Sequence, residues 1–167
     1  MRRVILGFLF FFMAPGVAST QSSDEHRSRG YVFFAPGASA PGGTGTLHFG
    51  GGSEGLIYKG LGVGGELGYH APWRSFGDGL GVFSLNGSYH FLPRKNEGKV
   101  VPFLTSGYTL FFRSDSLNLF NVGGRVDYWC RERVGQRFEF RDHVHPESSC
   151  GRGAAHFLGF HILWAFR

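Results

Sequence analysis

Residues 121–145 read NVGGRVDYWCRERVGQRFEFRDHVH, and the spacing of charges and aromatics in this stretch decides the fold. In the first arm Val122, Val126 and Tyr128 share one face of an extended chain, and Arg125 and Asp127 share the other. In the second arm Phe138, Phe140 and Val144 alternate with Arg137, Glu139, Arg141 and His143. A turn centred near Glu132 sets Asp127 opposite Arg137 and Arg125 opposite Glu139, so two pairs of opposite charge share the polar face. An amphipathic hairpin with its charges in water has the same period. The alternative encloses the charges and turns the phenylalanines to lipid, and enclosed charges are expected to pair because an unpaired one is costly.

The C-terminal stretch, HFLGFHILWAFR at 156–167, separates the two arrangements. Leu158, Phe160, Ile162, Trp164 and Phe166 fall on one face; Gly159, His161, Leu163, Ala165 and Arg167, smaller and more polar, fall on the other. A soluble strand with five bulky residues on one face must cover them with another layer, whereas a membrane strand leaves them against lipid. Trp164 and Phe166 then lie at the interface, where aromatic girdles form.

The N-terminus sets the compartment. Two arginines, an apolar run broken by Pro15 and the small residues Val17, Ala18 and Ser19 read as a secretory signal peptide over 1–19, the run being short for a membrane anchor. Residues 20–29, TQSSDEHRSR, are polar and aperiodic and read as a flexible lead-in; a single β-barrel domain is expected over 30–167. Gly 28 and Phe 19 with an aromatic fraction of 17% argue against disorder. The net charge of +5 is scattered rather than gathered into a stripe, which disfavours nucleic-acid binding.

From Gly30 onward eight segments are separated by turn residues: GYVFFAPG, TGTLHFGGGSEGLIY, LGVGGELGYH, GLGVFSLNGSYHFL, KVVPFLTSGYTLFF, LNLFNVGGRVDYW, GQRFEFRDHVH and AHFLGFHILWAF. Most are near the length of about 9–11 residues that a tilted transmembrane strand needs. In the third, Val63, Leu67 and Tyr69 oppose Gly62, Gly64, Glu66, Gly68 and His70. In the fourth, Phe83, Leu85, Tyr89 and Phe91 oppose Ser84, Asn86, Ser88 and His90. The fifth is ambiguous, with aromatics on both faces. Glu54 and Glu66 are expected inside, paired with Arg125, Arg137 or Arg141 in a lumen network that also holds Asp127 and Glu139. The lipid-facing set is Phe138, Phe140, Phe160, Ile162, Trp164 and Phe166.

This succession resembles the small eight-stranded outer-membrane barrels, similar to the transmembrane domain of outer membrane protein A. The hairpin with NVGG, VDYW and RVGQRFEFRD looks like that group's penultimate strands, and LGFHILWAFR like the terminal strand read by the barrel assembly machinery. The resemblance implies an all-β, eight-stranded antiparallel up-and-down transmembrane β-barrel in the bacterial outer membrane, monomeric, with lipid and that machinery as partners. One departure is that Arg167 follows the usual terminal aromatic, Phe166. The chain also stops at the barrel, so the peptidoglycan-binding domain of larger relatives is not expected.

Such a barrel is just wide enough for its own side chains, which disfavours a general porin and leaves a structural or unassigned role. Two other classes are a soluble periplasmic or secreted barrel with an apolar ligand inside, and a lipid-modifying outer-membrane enzyme. For the latter, Ser148 or Ser149 with His145 and Glu147 supply residue types but not a geometry, so no enzyme is expected. His143, His145, Cys150 and His156 gather near one outer loop, but their loose spacing matches no metal motif, so neither metal nor cofactor is expected. Cys130 and Cys150 fall at opposite ends of a strand crossing roughly 25 Å of membrane. A bridge needs Cα atoms within about 7 Å, so no internal disulfide is expected.

Overall fold

The computed structural model describes residues 28–40, 42–58, 60–91, 100–131, 134–146 and 154–166. Eight strands follow one another: β1 (Ser28–Ala40), β2 (Thr44–Tyr58), β3 (Leu61–Pro72), β4 (Leu80–His90), β5 (Val100–Phe112), β6 (Ser116–Trp129), β7 (Val134–His145) and β8 (Ala155–Phe166). Each pairs antiparallel with the next, and β1 pairs with β8 from Gly30↔Phe166 to Ala40↔His156. The sheet is therefore a closed up-and-down barrel with no free edge. A 3-10 turn, Phe76–Asp78, interrupts the β3–β4 connection.

The signal peptide read at 1–19 lies outside the described residues, as does the lead-in up to residue 27. The lead-in's end is corrected: Ser28 and Arg29 belong to β1, ahead of Gly30. The reason is physical. A strand whose inward residue is an arginine is as polar at its start as a linker, and only the paired β2 and β8 reveal it.

Every strand obeys the period of two. Leu67, Leu85, Leu104, Phe120 and Phe140, each more than half exposed, point away from the barrel axis, while Glu66, Ser84, Thr105, Asn121 and Arg141 beside them are buried. This inverts a soluble protein, whose large apolar faces turn inward. Tyr58, Tyr89, Phe91, Tyr128, Trp164 and Phe166 are exposed around the end where β1 starts and β8 finishes. Phe49, Trp73, Phe76 and Phe112 are exposed around the other end, so the apolar belt is flanked by two aromatic girdles. The ambiguous fifth segment resolves as β5 with Phe103, Thr105, Thr109 and Phe111 inside and Leu104, Ser106, Tyr108 and Phe112 outside. Its inward aromatics defeat a polarity rule because they serve the lumen as ring surfaces.

The tight β2–β3 turn depends on one glycine. Gly60 has φ 89, and a Cβ there would stand 2.5 Å from the His90 carbonyl oxygen. Gly60→Ala is expected to destabilise the barrel by more than about 1 kcal/mol, since a side chain at positive φ is strained and here also clashes. Gly30→Ala, with nothing within 4 Å of its added carbon, is the matched control and should unfold in urea as the parent does, followed by tryptophan fluorescence.

Candidate functional site: a filled lumen

Inward positions from six strands converge on the barrel axis, and their polar groups form two ion clusters stacked along it. In the lower cluster, nearer the end where β1 starts, Arg137 Nε lies 2.5 Å from Asp127 Oδ1 and Arg137 Nη2 lies 3.0 Å from Asp127 Oδ2. Arg29 Nη1 approaches the same carboxylate at 3.1 Å, and Arg137 Nη2 also reaches Glu54 Oε2 at 3.2 Å. Ser88 donates its hydroxyl to Glu54, and His90 Nε2 lies 3.1 Å from the same Oε1.

In the upper cluster Arg125 and Arg141 each face Glu66 and Glu139. Arg125 Nε stands 2.5 Å from Glu139 Oε2 and Arg125 Nη2 stands 3.2 Å from Glu66 Oε1. Arg141 Nε donates to Glu139 Oε1 at 2.5 Å, and its two terminal nitrogens grip the Glu66 carboxylate as a fork. Tyr31 donates its hydroxyl to Glu66 Oε1 at 2.7 Å. Four buried guanidinium groups thus meet four buried carboxylates among the described residues, Arg29, Arg125, Arg137 and Arg141 against Glu54, Glu66, Asp127 and Glu139.

Phe103 is packed between the two levels. Its ring lies 4.7 Å from the Arg137 guanidinium carbon and 5.3 Å from that of Arg125, and His90 stacks on it at 4.2 Å. Glycines opposite the charges leave room for them: a Cβ on Gly52, which pairs with Glu66 across β2 and β3, would meet Glu66 Cγ at 2.8 Å and Tyr31 Cζ at 2.9 Å. Above the ions runs an uncharged polar chain in which Asn121 Nδ2 donates to Asn86 Oδ1 and to Thr109 Oγ1, with Ser84 beside Thr109 at 2.9 Å. Two apolar clusters complete the lining, Tyr31, Phe33, Leu163 and Ala165 along the β1–β8 wall beside the ions and Val82, Phe111 and Leu119 at the far end. The described lumen is therefore filled by inward side chains from the ion clusters to the apolar far end.

The expected lumen residues all point inward, with Asp127 opposite Arg137 and Arg125 opposite Glu139 in the β6–β7 register. Glu54 joins Arg137, and Glu66 joins Arg125 and Arg141. Phe138, Phe140, Phe160, Trp164 and Phe166 are exposed on the outer wall. Ile162 shares that wall, half-buried between Phe34 and Phe138 of the neighbouring strands. Sequence reasoning missed Arg29, Tyr31 and Phe103, and it placed His90 on the polar face without joining it to the charges. Arg29 looked like linker, and Tyr31 and Phe103 looked like their outward neighbours.

The histidines near the last outer connection do not form one group. His143 points into the lumen, His145 Nδ1 lies 2.9 Å from the Asn118 carbonyl, and His156 Nδ1 lies 2.7 Å from Asp142 Oδ2. Cys150, Glu147, Ser148 and Ser149 lie outside the described residues, and Cys130 is exposed just after β6.

A closed eight-stranded barrel with an apolar wall and an ion-paired lumen defines a class, the small outer-membrane barrel fold. The N-terminal β-barrel domain of Pseudomonas aeruginosa OprF has this fold, with a TM-score of 0.57 at 13% identity over 84% of this chain and 98% of that one. The outer membrane protein OprG from Pseudomonas aeruginosa matches with 0.56 at 12% identity over 85% and 96%. Neisserial surface protein A matches with 0.55 at 12% identity over 81% and 94%. No protein-family model matches the chain, and no curated protein does. The shared property is the fold, and function has to come from the site.

The fork between Asp127 and Arg137 makes a double-mutant cycle informative. Asp127→Ala and Arg137→Ala are each expected to cost about 3–5 kcal/mol, because each leaves a buried charge without its partner. The double change should cost less than their sum by about 0.5–3 kcal/mol, read from urea unfolding of the refolded barrels. Additive losses would show that the two groups do not interact.

Proposed function

We propose that the protein is a small resident of the bacterial outer membrane, exported by its signal peptide, with a structural rather than catalytic role and no general pore. The observation that carries this reading is the pairing of opposites in one wall: exposed Leu, Val and Phe outside, matched Arg and Glu inside. Lipid is its surrounding partner, and the barrel assembly machinery would recognise the β8 strand. A closed barrel needs no second copy to cover an edge, which supports a monomer. A soluble barrel for an apolar ligand would need the reverse distribution, with apolar residues lining the interior.

Two measurements test this. The protein should fractionate with outer membranes and migrate faster in detergent gels before boiling than after. In planar bilayers it should give no steady conductance, because the ion clusters and the apolar far end fill the bore. Soluble periplasmic protein with no shift on boiling would overturn the membrane placement, and stepwise conductance would overturn the closed lumen. A third test uses depth. Phe140→Arg, at the middle of β7, should destabilise the bilayer-inserted barrel by about 2–4 kcal/mol, and Val134→Arg, at the strand end, by about 0–1 kcal/mol. Equal effects in urea titrations with lipid vesicles would mean that the outer wall does not meet a hydrocarbon layer.

A further inference from the structure

Between the upper ion cluster and the apolar cap at the far end lies a layer of imidazoles that the ion pairs do not use. His48 on β2 is its centre. Its ring centroid is 5.7 Å from that of His70, 6.0 Å from His143 and 5.6 Å from His161. All four histidines are buried. Ligand-type nitrogens of His48, His143 and His161 lie within 4.8 Å of one another. We propose that His48, His143 and His161 bind one borderline divalent transition-metal ion, of which zinc is the best matched, inside the lumen.

Four observations converge on this site. First, His48 Nε2, His143 Nε2 and both ring nitrogens of His70 are buried without a hydrogen-bond partner among the described residues. Buried polar nitrogens are usually satisfied, and two of the three proposed ligands, His48 and His143, carry one that is not. Second, the other nitrogen of His143 has a partner: Nδ1 lies 3.2 Å from Thr109 Oγ1, which Asn121 Nδ2 already approaches at 2.8 Å. In the tautomer that donates Nδ1–H to Thr109, His143 presents a lone pair at Nε2, the outer-shell arrangement that orients metal-bound histidines. Third, glycines face the rings. A Cβ on Gly68 would stand 2.7 Å from His48 Nε2, and one on Gly159 would stand 3.1 Å from His161 Nε2, so these rings can sit at this level only against bare backbone. Fourth, carboxylates stand in the next layer, where Glu139 pairs in register with His161 and Glu66 lies in the same ion cluster, both already neutralised by Arg125 and Arg141. Arg125 and Arg141 in that layer oppose the ion and limit its affinity.

The chemistry of the donors sets the metal class. Imidazole-only sites suit zinc, copper and nickel, whereas calcium and magnesium take oxygen ligands. A tetrahedral ion with bonds of about 2.0–2.1 Å would draw the three nitrogens closer together, a movement that ring rotation supplies. A water or His70 would complete the fourth position. Ligation also joins β2 to β7 and β8 across the β1–β8 seam, the one pairing between strands distant in sequence. The ion should therefore act as a clasp on barrel closure.

The test uses the whole mature barrel, refolded in detergent in the presence of Zn²⁺ or Co²⁺ and then freed of excess ion. The expected result is one equivalent of metal per chain, visible Co²⁺ absorption of four-coordinate intensity and a higher urea midpoint than the metal-free protein. His48→Gln and His161→Gln should each lose the ion and the shift in midpoint. The rim variant His145→Asn with His156→Asn should keep both. A folded parent that retains no metal overturns the proposal, as does binding that survives His48→Gln and disappears in the rim variant. Should His48→Gln fail to refold, the Co²⁺ spectrum of the parent decides, and weak six-coordinate bands would exclude the three-histidine site.

Discussion

Charge pairing inside a narrow bore is the constraint on which the rest of this barrel depends. A guanidinium or carboxylate taken out of water costs several kcal/mol, and the return comes only from a well-placed opposite charge. Here Arg137 spans Asp127 and Glu54, and Arg141 spans Glu66 and Glu139, so each cluster ties strands that are not neighbours. Because side chains alternate, slipping any of these strands by one residue would send its charges to the outer wall and its phenylalanines inward. The ion network therefore specifies register as well as filling space.

The outer wall follows from the same alternation. Once Arg, Glu and Asp occupy one parity, the other parity carries Leu67, Leu104, Phe140 and Trp164, and closure of β1 on β8 leaves no unpaired backbone at the edge of the sheet. Closure is what permits a β structure in hydrocarbon, since open edges there would leave backbone N–H and C=O groups without partners. Lipid outside and ion pairs inside are two consequences of one period, and the proposed membrane placement rests on both.

Polarity is also graded along the bore. Full charges sit toward the end where β1 starts, amides, hydroxyls and imidazoles lie above them, and Val82, Phe111 and Leu119 close the far end. The proposed metal ion fits that gradient, because imidazole lone pairs can ligate a cation where a further arginine would find no free carboxylate. A clasp of this kind would strengthen the β1–β8 seam, the contact with the longest loop to close and hence the largest entropic cost.

Much of this was legible in the chain. Eight alternating segments, the β6–β7 charge pairs and the terminal aromatic ladder all depend on local period, which residue order determines by itself. What it could not reveal was convergence across the bore. Nothing in SRGY marks Arg29 as a partner of Asp127, 98 positions away, and nothing in VPFL marks Phe103 as the ring between two guanidinium groups. His143 looked like a companion of His145 and His156, yet it belongs with His48 and His161 on other strands. The physical reason is that alternation decides which face a side chain takes, while its height and neighbours inside a barrel depend on the tilt and register of all eight strands, set only when β8 closes on β1.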